Sequence, residues 1–110
     1  MKLTEKENYL ILEDEKDDVK SFASYLAFKH HELKDKNLVV NILKYNKLSL
    51  EELLVFLKLS DKHRRGKKSF VIVNDSMDIE QIPNELMVVP TLQEAEDVIQ
   101  MEEIERDLGF

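Results

Sequence analysis

Three histidines are the side chains of this sequence best suited to bind a metal ion or to move a proton. His30 and His31 are adjacent, so on a helix they point about 100° apart and cannot share one ion. His31 opens the stretch HELKD, which lacks the second histidine of a zinc-protease helix, and His63 stands alone. His30 falls on an apolar helical face, where a structural role is expected. The sequence therefore predicts no metal site.

Clusters of charge are the next candidates. Glu13, Asp14, Asp17 and Asp18 lack the spacing and the glycine of a calcium-binding loop, so a solvated loop ending in a helix cap is predicted. The basic run KHRRGKK, residues 62–68, fits a helix end, where the helix dipole favours cations. No nucleophile has a base and an orienting group nearby in sequence, and there is no cysteine. The chain is therefore predicted not to be an enzyme and to use no cofactor.

Length and charge narrow the class of protein further. The chain has 110 residues, which predicts a single domain over 1–110, and a net charge of -7. This acidity argues against a general binder of nucleic acid or of an anionic membrane. The N-terminal stretch MKLTEKENYL is too charged for a signal peptide, and no run of about eighteen apolar residues occurs. A cytoplasmic location is expected.

Helix signals recur along the chain. A helix starting at Asp18 is predicted, and a long central helix is predicted between Ser49, whose capping box is completed by Glu52, and Gly66. Thr91, with Glu94 three residues on, predicts a second capping box and a last helix within 91–110. The first helix has its apolar face at three- and four-residue spacing, formed by Val19, Phe22, Ala23, Leu26, His30 and Leu33.

Short apolar runs between these helices predict strands. They lie at 9–12, 38–43, 70–73 and 86–89, and a further pairing partner is predicted at 2–5. Near-continuous apolar runs of this length are typical of strands buried on both faces. The predicted fold class is therefore α/β, with one central mixed sheet of four or five strands and three main helices.

A family resemblance rests on the run VVNILKYNKLSLEEL, residues 39–53. It resembles the central signature of STAS domains, the anti-sigma-factor-antagonist and sulfate-transporter module, where a strand V-V-D-L-S leads to I-D-S-S-G-L at a helix start. Asn41 stands at the strand's aspartate, Leu48 matches the apolar residue and Ser49 takes the place of the motif's aspartate. The later KKSFVIVN and VVPTLQEAEDVI resemble the family's following strand and its closing strand and helix. The resemblance covers residues 37–100.

The resemblance implies a binding partner such as an anti-sigma-type kinase or another STAS-binding protein. Many bacterial members are switched by phosphorylation of the motif's first serine, but Leu50 stands there, so the usual switch is absent. Glu51 and Glu52 follow, and they either stabilise the first helical turn through the dipole or imitate a phosphorylated switch. Similar short chains are also associated with ribonuclease Z by name or gene neighbourhood. That enzyme needs a His-x-His-x-Asp-His metal cluster, which this sequence lacks.

The central helix carries more apolar residues than one core face needs. Leu50, Leu53, Leu54 and Leu57 form the predicted core stripe, whereas Val55 and Leu59 fall on nearly the opposite face, beside Lys62 and His63. These two residues are therefore predicted to be exposed and to form a patch for a partner. The predicted partner-binding residues are Ser49, Leu50, Glu51, Glu52, Val55 and Leu59.

The C-terminal segment shows a second excess of apolar residues. Leu92, Ala95, Val98 and Ile99 are predicted to face inward, but the stripe beyond them is rotated by roughly half a turn. Either residues 101–110 bend back over Phe28 and the first helix, or this tail docks on another subunit or protein. The predicted oligomer or docking residues are Met101, Ile104, Leu108 and Phe110.

Taken together, these patterns predict a noncatalytic protein-interaction or regulatory module of the STAS type. One alternative is a sensor that binds a small molecule or an anion at the helix N-termini of Ser49 and Thr91. Another is a structural subunit that forms a homodimer through the C-terminal stripe.

Overall fold

A five-stranded sheet organises the fold. The computed structural model describes residues 1–109 and confirms the predicted α/β class with a mixed central sheet. The strands lie side by side in chain order, with β1 antiparallel to β2, and with β2 to β5 parallel to one another. Their bounds are β1 Lys2–Glu5, β2 Leu10–Glu13, β3 Leu38–Asn41, β4 Phe70–Val73 and β5 Met87–Val89.

The helices divide unequally between the two faces of the sheet. On one face, α1, α2 and α3 pack with strand residues such as Leu12 and Ile72. On the other face, α4 packs Ile99 against Val39 and Val71. Alternate residues of β2 to β5 pack into different cores, which explains the continuous apolar runs of these strands in the sequence. The helices are α1 Val19–Leu33, α2 Leu50–Leu54, α3 Leu57–Arg65 and α4 Leu92–Asp107, with a 3-10 turn at Ile79–Gln81.

The first helix forms as predicted. The Asp18 carboxylate accepts hydrogen bonds from the backbone N–H groups of Lys20 and Ser21 and so caps α1. The acidic loop before it is held by Tyr45, whose hydroxyl donates to Asp14 Oδ2 at 2.5 Å. All six residues of the predicted apolar face are buried, namely Val19, Phe22, Ala23, Leu26, His30 and Leu33.

The prediction of one continuous central helix is wrong. The regular hydrogen-bond ladder stops at Leu54, and the Phe56 N–H donates to the carbonyl of Leu53, only three residues back, at 3.1 Å. A new helix, α3, then begins at Leu57 and ends at Arg65, with Gly66 as its C-cap. The tighter turn brings Phe56 fully into the core. Burial of this large ring therefore accounts for the break.

The buried side of the central segment also differs from the prediction. Leu53 is buried, but Leu50 and Leu54 are partly exposed. Leu59 was predicted to face solvent beside His63, and this prediction is wrong because both residues follow Phe56 at helical spacing and share its buried side. Val55 lies at the surface, as predicted.

The last helix is anchored to the sheet through its first half. Ala95 and Ile99 are fully buried and Val98 is partly buried, as predicted. The prediction that Leu92 faces inward is wrong, since this side chain is 37% exposed. A helical side chain covers the turn that precedes it, and Leu92 is the first residue of α4, so it has no preceding turn to cover.

The second half of α4 continues as the same helix to Asp107. Phe28 is 74% exposed, so the first of the two alternatives, a tail that bends back over Phe28 and α1, is wrong for residues 101–109. Phe110 lies outside the described residues. The residues that point away from the sheet are Met101, Ile104 and Leu108.

Candidate binding groove between two helices

A groove of about 380 Å³ lies between α1 and α3 on the outside of the helical layer. Its floor is formed by small and apolar side chains, and its rim carries lysines. The two sides run parallel, because each helix connects one parallel strand to the next. The lining residues are Lys20, Ala23, Ser24 and Ala27 from α1, and Val55, Lys58, Leu59 and Lys62 from the α2–α3 segment.

The depth of the groove follows from side-chain size. Ala23 and Ala27 stand one turn apart on α1 and carry no side-chain atoms beyond Cβ. The side of the groove that α1 forms is therefore low. Opposite them, Leu59 is only 7% exposed and closes the floor, whereas Val55 is 37% exposed and stays accessible. The two residues predicted as an exposed patch therefore have different positions, one in the floor and one on the open wall.

Positive charge surrounds the groove. The Lys20 ammonium lies 3.3 Å from a Glu51 carboxylate oxygen. Lys58 and Lys62 form no ion pair with any residue of 1–109. The groove therefore combines an apolar floor with unbalanced positive charge, although the chain as a whole carries -7.

A buried histidine pair joins α1 to α3 beyond one end of the groove. His63 Nε2 lies 2.8 Å from the Lys36 carbonyl oxygen, which can only accept, so this nitrogen carries the proton. His63 Nδ1 is then free to accept from His30 Nε2–H at 2.9 Å. Both rings are buried, and the His63 ring also packs edge-on against Phe70. The pair fixes the spacing of the two helices as long as His63 Nδ1 is unprotonated and can accept.

Burial keeps both histidines neutral. It lowers the pKa of His63 to about 4, a change that the hydrogen bond to the Lys36 carbonyl partly opposes and that the charges of Arg64 and Lys68 reinforce. Burial also lowers the pKa of His30, helped by the charges of Lys62, Lys34 and His31. The sequence predicted a structural role for His30 but missed its partner. The spacing of Phe56, Ser60 and His63 was the signal that could have found it.

The predicted helix-start residues lie at the opposite end of the groove, where Glu51 meets Lys20. The predicted capping box at Ser49 is confirmed. Glu52 N–H donates to Ser49 Oγ at 3.1 Å, and Ser49 N–H donates to Glu52 Oε1 at 3.0 Å. Leu50 is partly exposed beside them. These donors are occupied and two carboxylates stand in the same turn, so the geometry does not favour an anion at this helix start.

The start of α4 is capped differently from the prediction. Thr91 Oγ1 accepts from the Glu94 N–H at 3.1 Å, but the Glu94 carboxylate accepts from the Thr91 hydroxyl and not from its backbone N–H. Only half of the predicted capping box is therefore present. The carboxylate turns to the hydroxyl because both groups are exposed and within reach of each other.

The second half of α4 is attached by polar groups that the sequence did not reveal. Asn37 Nδ2 donates to Glu103 Oε1 at 2.6 Å, and Asn37 Oδ1 accepts from the Ser69 N–H at 2.8 Å. Ser69 Oγ donates to Glu102 Oε1 at 2.6 Å, and the Arg106 guanidinium reaches both Ser69 and Asn37. This polar network, formed by Asn37, Ser69, Glu102, Glu103 and Arg106, joins α4 to the residues that precede β3 and β4.

Metal ligation and membrane spanning are two further questions for the described part of the chain. Residues 1–109 contain no group of three or more metal-ligating side chains placed to hold an ion. In the same range, no helix is both long and apolar enough to cross a membrane. Comparison of the sequence with protein-family models and with curated proteins finds no match in either.

Proposed function

We propose that this protein is a noncatalytic protein-binding module of the STAS type, and that the groove between α1 and α3 receives an acidic, apolar segment of its partner. The observation that carries this proposal is the composition of the groove. Its floor and open wall are apolar through Ala27, Leu59 and Val55, and its rim holds Lys58 and Lys62 without acidic partners.

Each part of the groove has its own role in this proposal. Apolar side chains of the partner bury against Val55 and Leu59, as in other complexes where a helix lies in an apolar groove. Carboxylates of the partner meet Lys58 and Lys62 at the rim, where charge sets orientation and the rate of association more than affinity. Leu50 at the usual phosphorylation position leaves binding without that switch. An anti-sigma-type kinase or another STAS-binding protein is the class of partner that the family resemblance suggests.

The first test compares baits in affinity capture from the native lysate. Val55→Asp places a charge on the open wall of the groove, and Ile79→Asp makes the same change at a residue that is 78% exposed and outside the groove. Leu59 is left intact because a charge at that buried position would unfold the protein. We expect one protein to be captured by wild type and by Ile79→Asp and lost with Val55→Asp. Equal capture by all three baits would contradict the proposal.

The second test addresses the positive charge at the rim of the groove. The double variant Lys58→Glu, Lys62→Glu reverses the rim, and the matched control Lys6→Glu, Lys47→Glu changes the net charge equally at exposed lysines outside the groove. The rim variant should lose the captured partner, and the control should keep it. Binding that depends on net charge alone would weaken equally in both variants and would refute a role for the rim.

A further inference from the structure

The outer face of α4 presents an apolar stripe to solvent. Met101, Ile104 and Leu108 follow one another at three- and four-residue spacing, so they form one line along the helix. Their side chains are 63%, 60% and 67% exposed. Large apolar residues aligned in this way are typical of a helix that packs against another surface.

The charges around this stripe are negative. The one cation in the sequence of α4 is Arg106, and its guanidinium points inward, where it donates to Ser69 and Asn37. An occupant of the outer face must therefore supply both apolar surface and positive charge. The exposed acidic residues beside the stripe are Glu94, Asp97, Glu105 and Asp107.

The groove between α1 and α3 has both of these properties. We propose that the outer face of α4 in one copy of this chain occupies the α1–α3 groove of a second copy, so that copies associate head to tail. Met101, Ile104 and Leu108 then lie on the floor and the open wall, and the acidic residues beside them face Lys58 and Lys62. This inference rests on the proposed function, because it names an occupant for the same groove.

The positions of the two surfaces decide the symmetry of the contact. α4 and the groove lie on opposite faces of the sheet, so a copy whose α4 is engaged still has an open groove. Such a heterologous contact adds further copies in a row and does not close a dimer. Pairing α4 with α4 across a two-fold axis would instead bring two acidic faces together, which costs free energy.

The contact is small. Three large side chains from one helix bury less than the roughly 1,200 Å² of total area at which stable complexes begin, so the association is weak and depends on concentration. Because opposite charges meet at its rim, added salt weakens it further.

A mixing experiment separates the two surfaces. A groove variant carries Val55→Asp and Lys62→Glu, and a helix variant carries Ile104→Asp and Leu108→Asp, all at surface positions. Sedimentation velocity over two decades of protein concentration should show oligomers of increasing size for wild type. Each variant alone should associate at least about tenfold more weakly, the equivalent of 1.4 kcal/mol. An equimolar mixture should form a one-to-one complex, because one variant keeps α4 and the other keeps the groove.

Several outcomes would contradict the head-to-tail contact. Wild type that stays monomeric, or a mixture that forms no complex, overturns the head-to-tail contact, and a groove variant that still dimerises points to pairing of α4 with α4. Ile79→Asp is the matched control and should associate like wild type. Circular dichroism establishes that each variant is folded. Capture of another protein from the lysate does not depend on self-association. If the copies do not associate, loss of that protein with the Lys58→Glu, Lys62→Glu bait still tests the proposed function.

Discussion

The two faces of the sheet are held by different forces. On the face of α1 and α3, buried apolar residues such as Phe22 and Phe56 form one large core, and a single histidine pair is its main polar contact. On the face of α4, only the first half of the helix packs through apolar residues, and the second half is attached by the polar network. Polar attachment leaves the apolar residues of that half unused by the fold, and this is why they remain available for a partner.

The largest loss of stability is expected in the core under α1 and α3, which is held by apolar packing. Phe56→Ala removes a fully buried ring from the α1–α3 core and should lower the free energy of unfolding by about 3–5 kcal/mol. Chemical denaturation measures this loss. The exposed Phe28 is the matched control, and Phe28→Ala should change stability by no more than about 0.5 kcal/mol. Equal losses in the two variants would show that the break after Leu54 does not serve to bury Phe56.

Acid should weaken the face of α1 and α3 through its histidines. Because the pKa of His63 is about 4 in the folded protein and about 6.5 in the unfolded chain, the unfolded state binds more protons between these pH values. The free energy of unfolding should therefore have its full value above about pH 6.5. It should fall as the pH drops towards 4, by up to about 3 kcal/mol for His63.

Urea titrations at several pH values measure this dependence. His63→Gln should be less stable than wild type at neutral pH, since it loses the contact with His30, but its stability should change less between pH 6.5 and 4. The exposed His31 provides the control, and His31→Gln should keep the slope of wild type. A wild-type curve that is flat over this range would show that the pair is not held neutral by burial.

A smaller effect is expected from the polar network. Asn37→Ala leaves the Ser69 N–H without its acceptor in a buried position and should cost about 1–3 kcal/mol. Amide hydrogen exchange should increase over residues 101–107 and stay unchanged around Ile99, which is held by apolar contacts. The exposed Asn84 is the control, and Asn84→Ala should alter neither stability nor exchange. Uniform exchange along α4 would contradict the division of this helix into two halves.

The smallest change in stability is expected for substitutions on the outer face of α4. Ile104→Ala should change the free energy of unfolding by no more than about 0.5 kcal/mol, because the side chain has few neighbours to lose. The same change at the fully buried Ile99 should cost about 2–5 kcal/mol. Thermal and urea unfolding distinguish these cases. A large loss at Ile104 would mean that the stripe contributes to the fold and would remove the reason to assign it to a partner.

Local patterns were enough to predict α1 and the strands. The cap at Asp18 and the spacing from Val19 to Leu33 lie within one segment, so propensity and periodicity act together there. The break at Val55 and Phe56 has no such signal, because neither residue is a proline or glycine and both tolerate a helix. The core decides that position by taking in the ring of Phe56, which is a tertiary effect.

The groove and the polar network could not be predicted from the sequence, for a related reason. Ala23 and Ala27 on α1 become one side of a groove only when α3 lies beside them, and Val55 and Leu59 separate into wall and floor only after the helix breaks. Asn37, Ser69 and Arg106 come from three segments far apart in sequence, and the order of strands in the sheet brings them together. The spacing of α4 did identify the outward stripe, although not its use.

The order of the strands has a consequence for synthesis on the ribosome. Each strand from β2 to β5 pairs with the strand that left the ribosome just before it, so the sheet can grow one strand at a time without waiting for distant segments. The face covered by α1 and α3 can assemble during this growth. The opposite face stays open until α4 has emerged, so Tyr9 and Ile11, the first residues of that core to be synthesised, are the ones that a nascent chain exposes longest.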